Sequence, residues 1–97
     1  MNTLDAKPVC SIEKEQIPLL HFPIQEVLKD PDRIKERNAE LSRAQSLGNL
    51  ERVKVRIIFE DDRNRKMVET TVWGLTDKMV ILKGGAGIPV HRIVSIS

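Results

Sequence analysis

Side chains branched at Cβ are concentrated at one end of this chain. Residues 53–97 contain 16 Val, Ile and Thr, against 7 in residues 1–52. Such side chains lose rotamers in a helix and pack well on a pleated surface, so a sheet is expected after residue 52 and helix before it. In VKVRIIFE, residues 53–60, Val53, Val55, Ile57 and Phe59 alternate with Lys54, Arg56, Ile58 and Glu60, the period of a half-buried strand. Residues 66–73, KMVETTVW, read as a second strand, and Gly74 marks a bulge or bend at its end. MVIL at 79–82 is a third. IPV at 88–90 opens a fourth, whose phase breaks at His91-Arg92 before Ile93, Val94 and Ile96. Asp61-Asp62-Arg63-Asn64, Thr76-Asp77-Lys78 and Gly84-Gly85-Ala86-Gly87 supply the turns.

The front half holds one strong helix signal. Asp30 suits a helix cap and Pro31 the first helical position, where a missing amide hydrogen costs nothing. Good helix formers run from there to Leu47, and Gly48-Asn49 is a plausible left-handed end. Ile34, Leu41, Ala44 and Leu47 trace a thin apolar stripe, enough to pack one face. Residues 23–28 are expected to form a short helical segment beginning at Pro23, after a turn at His21-Phe22-Pro23. Residues 1–22 form an N-terminal extension, partly mobile, with Val9, Ile12 and Ile17 as its anchors. One domain, residues 23–97, follows, made of helix 31–47 and sheet 53–97. A flat sheet of five short strands needs a covering layer, and one helix covers little. The expected fold is therefore α+β, an N-terminal helical segment packed on a small, strongly bent antiparallel sheet or SH3/Sm-like barrel.

Composition narrows the chemistry. No apolar run approaches the ~20 residues of a membrane span, and the N-terminus lacks the basic and apolar stretches of a secretion signal. Cys10 is the single cysteine, which leaves no internal disulfide. A cytoplasmic protein that contacts no membrane is expected. The net charge of +2 carries no general polyanion signal, although the β-rich half holds the positive excess. Phe22, Phe59 and Trp73 are the only aromatic residues, so the core is expected to be aliphatic and a platform of stacking rings is disfavoured.

Catalytic and metal chemistry find little support. In Lys83-Gly84-Gly85-Ala86-Gly87 the lysine precedes the glycines and strand-like sequence follows, the reverse of a phosphate-binding loop, so a hairpin turn is expected. Glu60-Asp61-Asp62 is followed at once by Arg63, Arg65 and Lys66, which suits a charged turn better than a cation loop. His21, His91 and Cys10 match no short metal motif. A small enzyme would need His91, Asp77 and Cys10 in one cleft. No catalytic residue, cofactor or metal is expected.

Two binding surfaces remain. Ile58 and Trp73 are candidates for an interface with a protein partner or a second copy of the chain, because strand edges need protection. For Trp73 itself, filling the end of a barrel is the first expectation and interface use the second. Lys54, Arg56, His91 and Arg92 are candidates for nucleic-acid contact, within a broader set of basic residues that includes Arg63, Arg65, Lys66, Lys78 and Lys83.

The pattern VKVRIIFEDD…VETTVWGLTDKMVILKGGAGIPVHRIVSI resembles the bacterial Rho-binding antiterminator family, whose last strand is similar to Pro89-Val90-His91-Arg92-Ile93-Val94-Ser95-Ile96. Pro8-Val9-Cys10 is similar to that family's N-terminal element. The resemblance implies a helix followed by a bent sheet, and contact with the Rho terminator. The same segment resembles Sm-like RNA-binding barrels: His91 matches the histidine of their RNA-contacting Lys-His pair, and Val90 stands where the lysine would be. The leading expectation is a small non-enzymatic binding or regulatory domain mediating protein–protein contact. The alternative is RNA or single-stranded nucleic-acid binding through the basic face.

Overall fold

A computed structural model describes residues 8–97. Strand β1 (Val9–Ser11) is followed by a 3-10 turn (Lys14–Leu19), helix α1 (Pro31–Glu51) and six further strands. These are β2 (Val55–Glu60), β3 (Arg65–Thr70), β4 (Val72–Leu75), β5 (Met79–Leu82), β6 (Gly87–Pro89) and β7 (Ile93–Ile96). Residues 1–7, part of the expected mobile extension, lie outside the described residues.

The strands form two sheets, of order β1-β3-β2-β7 and β4-β5-β6. This corrects the expected barrel: both sheets are open, and no strand of one is laddered to a strand of the other. Two features account for it. The expected strand 66–73 breaks at Thr71, so that β3 stays in the first sheet while β4 begins the second. Helix α1 then packs against both β4 and β7 and so covers both open sheets. The pairing is not wholly antiparallel either, since β1 runs parallel to β3, with Cys10 opposite Lys66. The SH3-like and Sm-like descriptions fail with the barrel.

One core joins the layers. Leu41 and Ala44 of α1 meet Ile57 and Phe59 of β2, Val68 of β3, Val72 of β4, Val80 and Leu82 of β5, Ile88 of β6 and Ile93 of β7. Ile17 enters it from the 3-10 turn, and Phe22 stacks obliquely on Phe59 with ring centroids 6.0 Å apart. Apart from Phe59, the fully buried large side chains are aliphatic.

Helix α1 opens as its sequence signals suggest. Asp30 Oδ1 accepts from the Asp32 amide at 2.9 Å, with Pro31 in the first turn. It ends later than Gly48-Asn49 implies. Gly48 is buried inside the helix, where a Cβ would overlap the carbonyl oxygen of Val72. The glycine serves close approach of the helix to β4, and the left-handed cap falls on Arg52 (φ 57°), whose amide donates to Gly48 O at 3.1 Å.

Residues 23–28 form no helix. Their backbone is held by groups from elsewhere in the chain. His91 Nε2 lies 3.0 Å from Pro23 O, Arg92 Nη1 donates to Gln25 O at 2.8 Å, and the Val27 amide donates to His91 O. Glu26 takes a bidentate pair of bonds from Arg37 of α1, at 2.6 and 2.9 Å, and Arg37 Nη1 also donates to Ile93 O at 3.2 Å. These bonds replace the helical ladder that the segment forgoes. A second polar knot closes the β2–β3 turn: Asp61 Oδ1 accepts the amides of Arg63 and Asn64, while Lys66 Nζ donates to Asp61 Oδ2 at 2.8 Å.

Both knots make the fold acid-sensitive. Burial pushes the Glu26 carboxyl up, but the Arg37 hydrogen bonds, the Leu28 amide and the positive charges of Arg37 and His91 outweigh it and hold the group below its ordinary value. For Asp61 burial likewise opposes, and the Asn64 amide, Lys66 and the Arg63 amide prevail. A carboxyl lowered in the folded state stabilises the fold above its unfolded value, near pH ~4, and that stability is lost as pH falls through the folded value. Urea melts from neutral pH downward are expected to lose stability below about pH 4, with a shallower fall in Glu26→Gln and Asp61→Asn. An unchanged slope in both variants would contradict this.

Candidate functional site

The strand break at Thr71 and the close approach at Gly48 together build a basic depression. In β4, Val72 pairs with Leu82 and Gly74 with Ile81, so Trp73 is the extra residue of a bulge. A bulge re-aims its side chain, and Trp73 stands 52% exposed. The barrel-filling role considered for it is therefore not the one it plays. Gly48 lets the end of α1 rest on β4, and Asn49 and Arg52 line one depression with Trp73. Lys54, just before β2, and Lys83, just after β5, complete the rim, with Thr71 at the junction of the sheets. The depression encloses about 450 Å³.

Its charge is one-sided. Among the described residues, Arg52, Lys54 and Lys83 make no ion pair and no carboxylate lines the depression. The last carbonyls of α1 point the other way, contributing about half a negative charge. Three full cations outweigh that, so the depression favours an anion.

A larger depression, about 770 Å³, lies beside β1 and the β2–β3 turn and includes Cys10, Glu60, Asp61, Asp62 and Arg65. Much of its charge is consumed by the fold: Arg65 pairs with Glu60 at 2.8 Å and Asp61 with Lys66. Size alone does not make it the better site. Among the described residues no group of three or more His, Cys, Asp or Glu side chains could hold a metal ion.

The residues singled out from sequence scatter. Lys54 and Trp73 share the basic depression. Arg56 lies on the outer face of the first sheet, where its guanidinium is 3.9 Å from Glu69. Ile58, half-buried, is on that same face opposite Met67 and Ser95. His91 and Arg92 are occupied in holding residues 23–28, and Arg92 Nε also donates to Glu60 O at 3.0 Å. Cys10 is exposed on β1, and Asp77 lines a separate depression between α1 and the β4–β5 turn. Arg52 was missed because it reads as the end of the helical half; only the position of the helix end brings it to Trp73.

Comparison with protein-family models, with curated proteins and with solved structures finds no match for this chain. With the barrel absent as well, the resemblance to Rho-binding antiterminators and to Sm-like barrels is withdrawn, and so is the partner it implied. Among the described residues no helix is long and apolar enough to cross a membrane. Fold and site define a small α+β domain with one basic, tryptophan-bearing depression.

Proposed function

We propose that this chain is a non-enzymatic binding module that engages single-stranded nucleic acid through Trp73, Arg52, Lys54 and Lys83. The observation that carries the reading is an exposed indole sharing one depression with three cations that have no carboxylate partner among the described residues. A base stacked on an aromatic ring contributes roughly 1–3 kcal/mol and needs an unpaired strand, while neighbouring cations hold the phosphates. The scarcity of aromatics limits this platform to one ring, which suits weak, sequence-tolerant binding.

Arg52 supports the reading in a second way. The left-handed conformation costs an L residue ~1–2 kcal/mol, and glycine is the residue that adopts it freely. Arg52 takes this conformation and lines the depression with Trp73, so its charge offers a use for the strained position that the helix end alone does not. The Arg52→Gly variant is therefore expected to be more stable than the parent by about 0.5–1 kcal/mol in denaturant melts, and a weaker binder. Trp73 is the sole tryptophan, so its fluorescence reports binding directly. Titration with an oligothymidylate is expected to quench it, less so for the same sequence as a duplex. No quenching, or equal quenching by duplex, would overturn the proposal.

A second reading is contact with a protein partner or another copy of the chain through the outer face of the first sheet. It is favoured by the Ile58–Met67 cross-strand pair and by Val9, 44% exposed on edge strand β1. Sedimentation tests it: a dimer that Ile58→Lys returns to monomer supports it, and a concentration-independent monomer refutes self-association.

A further inference from the structure

We infer that the depression at Trp73 is one half of a longer groove, which leads a single strand past Lys83 and across the glycine turn to Lys14. The inference rests on the nucleic-acid reading above and extends it to the path of the strand. A second depression of about 280 Å³ adjoins the first and is lined by Lys14, Glu15, Pro18, Lys83, Gly84 and Ala86. Lys83 lines both, so the two depressions share one cationic residue.

The chain between them offers no obstacle. Gly84 and Gly85 adopt φ values of +94° and +101°, which side-chain-bearing residues rarely tolerate, and a Cβ placed on Gly85 would meet nothing within 4 Å. The crest of the turn is therefore bare backbone. On its far side the Lys14 side chain lies against Gly84, where a Cβ would come within 3.3 Å of Lys14 Cε. Arg52, Lys54 and Lys83 line the first depression and Lys83 and Lys14 the second, so cations serve both, as a polyanion needs and a single phosphate does not.

Glu15 opposes this arrangement. Its carboxylate is 2.9 Å from Lys14 Nζ, and both side chains reach water. Exposed pairs of this kind are weak, so a phosphate can take the place of Glu15 at Lys14. Glu15 consequently tempers affinity at this end of the groove and has no effect at Trp73.

The test uses the full chain, Trp73 fluorescence, and two probes: a thymidine dinucleotide and an octanucleotide. The octanucleotide is expected to bind Lys14→Ala more weakly than the parent, with the salt slope reduced by about 0.7, one phosphate contact on a single strand. Glu15→Gln is expected to tighten the octanucleotide. Neither change alters the dinucleotide. If the octanucleotide binds Lys14→Ala as tightly as the parent, or if both lengths weaken equally, the groove is refuted while binding at Trp73 stands. If neither length binds the parent chain, the nucleic-acid reading itself falls. Circular dichroism of each variant establishes that the fold is intact.

Discussion

Arg37→Ala is expected to lower the melting temperature by roughly 15 °C, corresponding to about 3 kcal/mol in a domain of this size. The side chain is 3% exposed and its guanidinium donates to four acceptors: both oxygens of Glu26, the carbonyl of Ile93 and Asn38 Oδ1. Truncation removes this donor from the carbonyl and leaves the partly buried carboxylate with the Leu28 amide but no cation, and such uncompensated groups account for most of the loss when one member of a buried pair is removed. Glu26 retains some contact with water, which places the expected cost at the lower end of the range for buried pairs. The double variant Glu26→Ala, Arg37→Ala is expected to lose less than the two single variants summed, because the orphaned carboxylate is gone. Arg37→Lys is not expected to rescue, since an ammonium cannot reproduce the fork that reaches both oxygens. Additive losses, or a melting temperature unchanged in Arg37→Ala, would show that the segment 23–28 is held by other means.

Gly48→Ala is the second large effect. Alanine is favoured over glycine within a helix by about 1 kcal/mol, so propensity alone predicts stabilisation. The added Cβ, however, would overlap the Val72 carbonyl oxygen and lie 3.1 Å from Thr71 Cγ2. Backbone cannot move aside as the tip of a flexible side chain can, and overpacking of this kind costs about 3 kcal/mol. The steric term prevails, with a net loss of roughly 2 kcal/mol in denaturant melts. The helix end also shifts away from β4, carrying Arg52 from Trp73. Binding is therefore expected to weaken in Gly48→Ala even under conditions where the variant is fully folded. A stabilised variant would mean that the helix does not rest on β4 as closely as described.

These two positions also show how far the sequence could be read. The buried face of α1 follows Ile34, Arg37, Leu41, Ala44 and Gly48, a regular alternation of three- and four-residue steps. Two of the five are an arginine and a glycine, so hydrophobicity alone reveals only a thin stripe and assigns Arg37 to water and Gly48 to the helix end. The local signals were sound where the chemistry is local: Asp30-Pro31 opens the helix, Val55, Ile57 and Phe59 point inward, and a bulge falls beside Gly74. What failed was the closing of the sheet. Thr71 looks like one more residue of a β-branched strand, and nothing in its neighbours announces that the chain changes sheets there. His91 and Arg92 stand out in the sequence by their charge alone; their hydrogen bonds to the backbone of Pro23 and Gln25, and that of Arg92 to Glu60 O, depend on contacts far apart in the chain. Lys54 and Trp73 were legible as candidates but not as neighbours, since their meeting depends on where α1 ends.

The salt dependence of binding to a single-stranded oligonucleotide tests the central claim most directly. Each phosphate held by a cation releases counterions, giving a slope of log affinity against log salt of about −0.7 per contact on a single strand. Contacts from Arg52, Lys54 and Lys83 therefore predict a slope of about −2 from this depression, lost in the triple variant Arg52→Gly, Lys54→Ala, Lys83→Ala while Trp73 remains to report. A parent chain that binds with no salt dependence, or a triple variant whose slope equals the parent's, would contradict the assignment of this depression to nucleic acid.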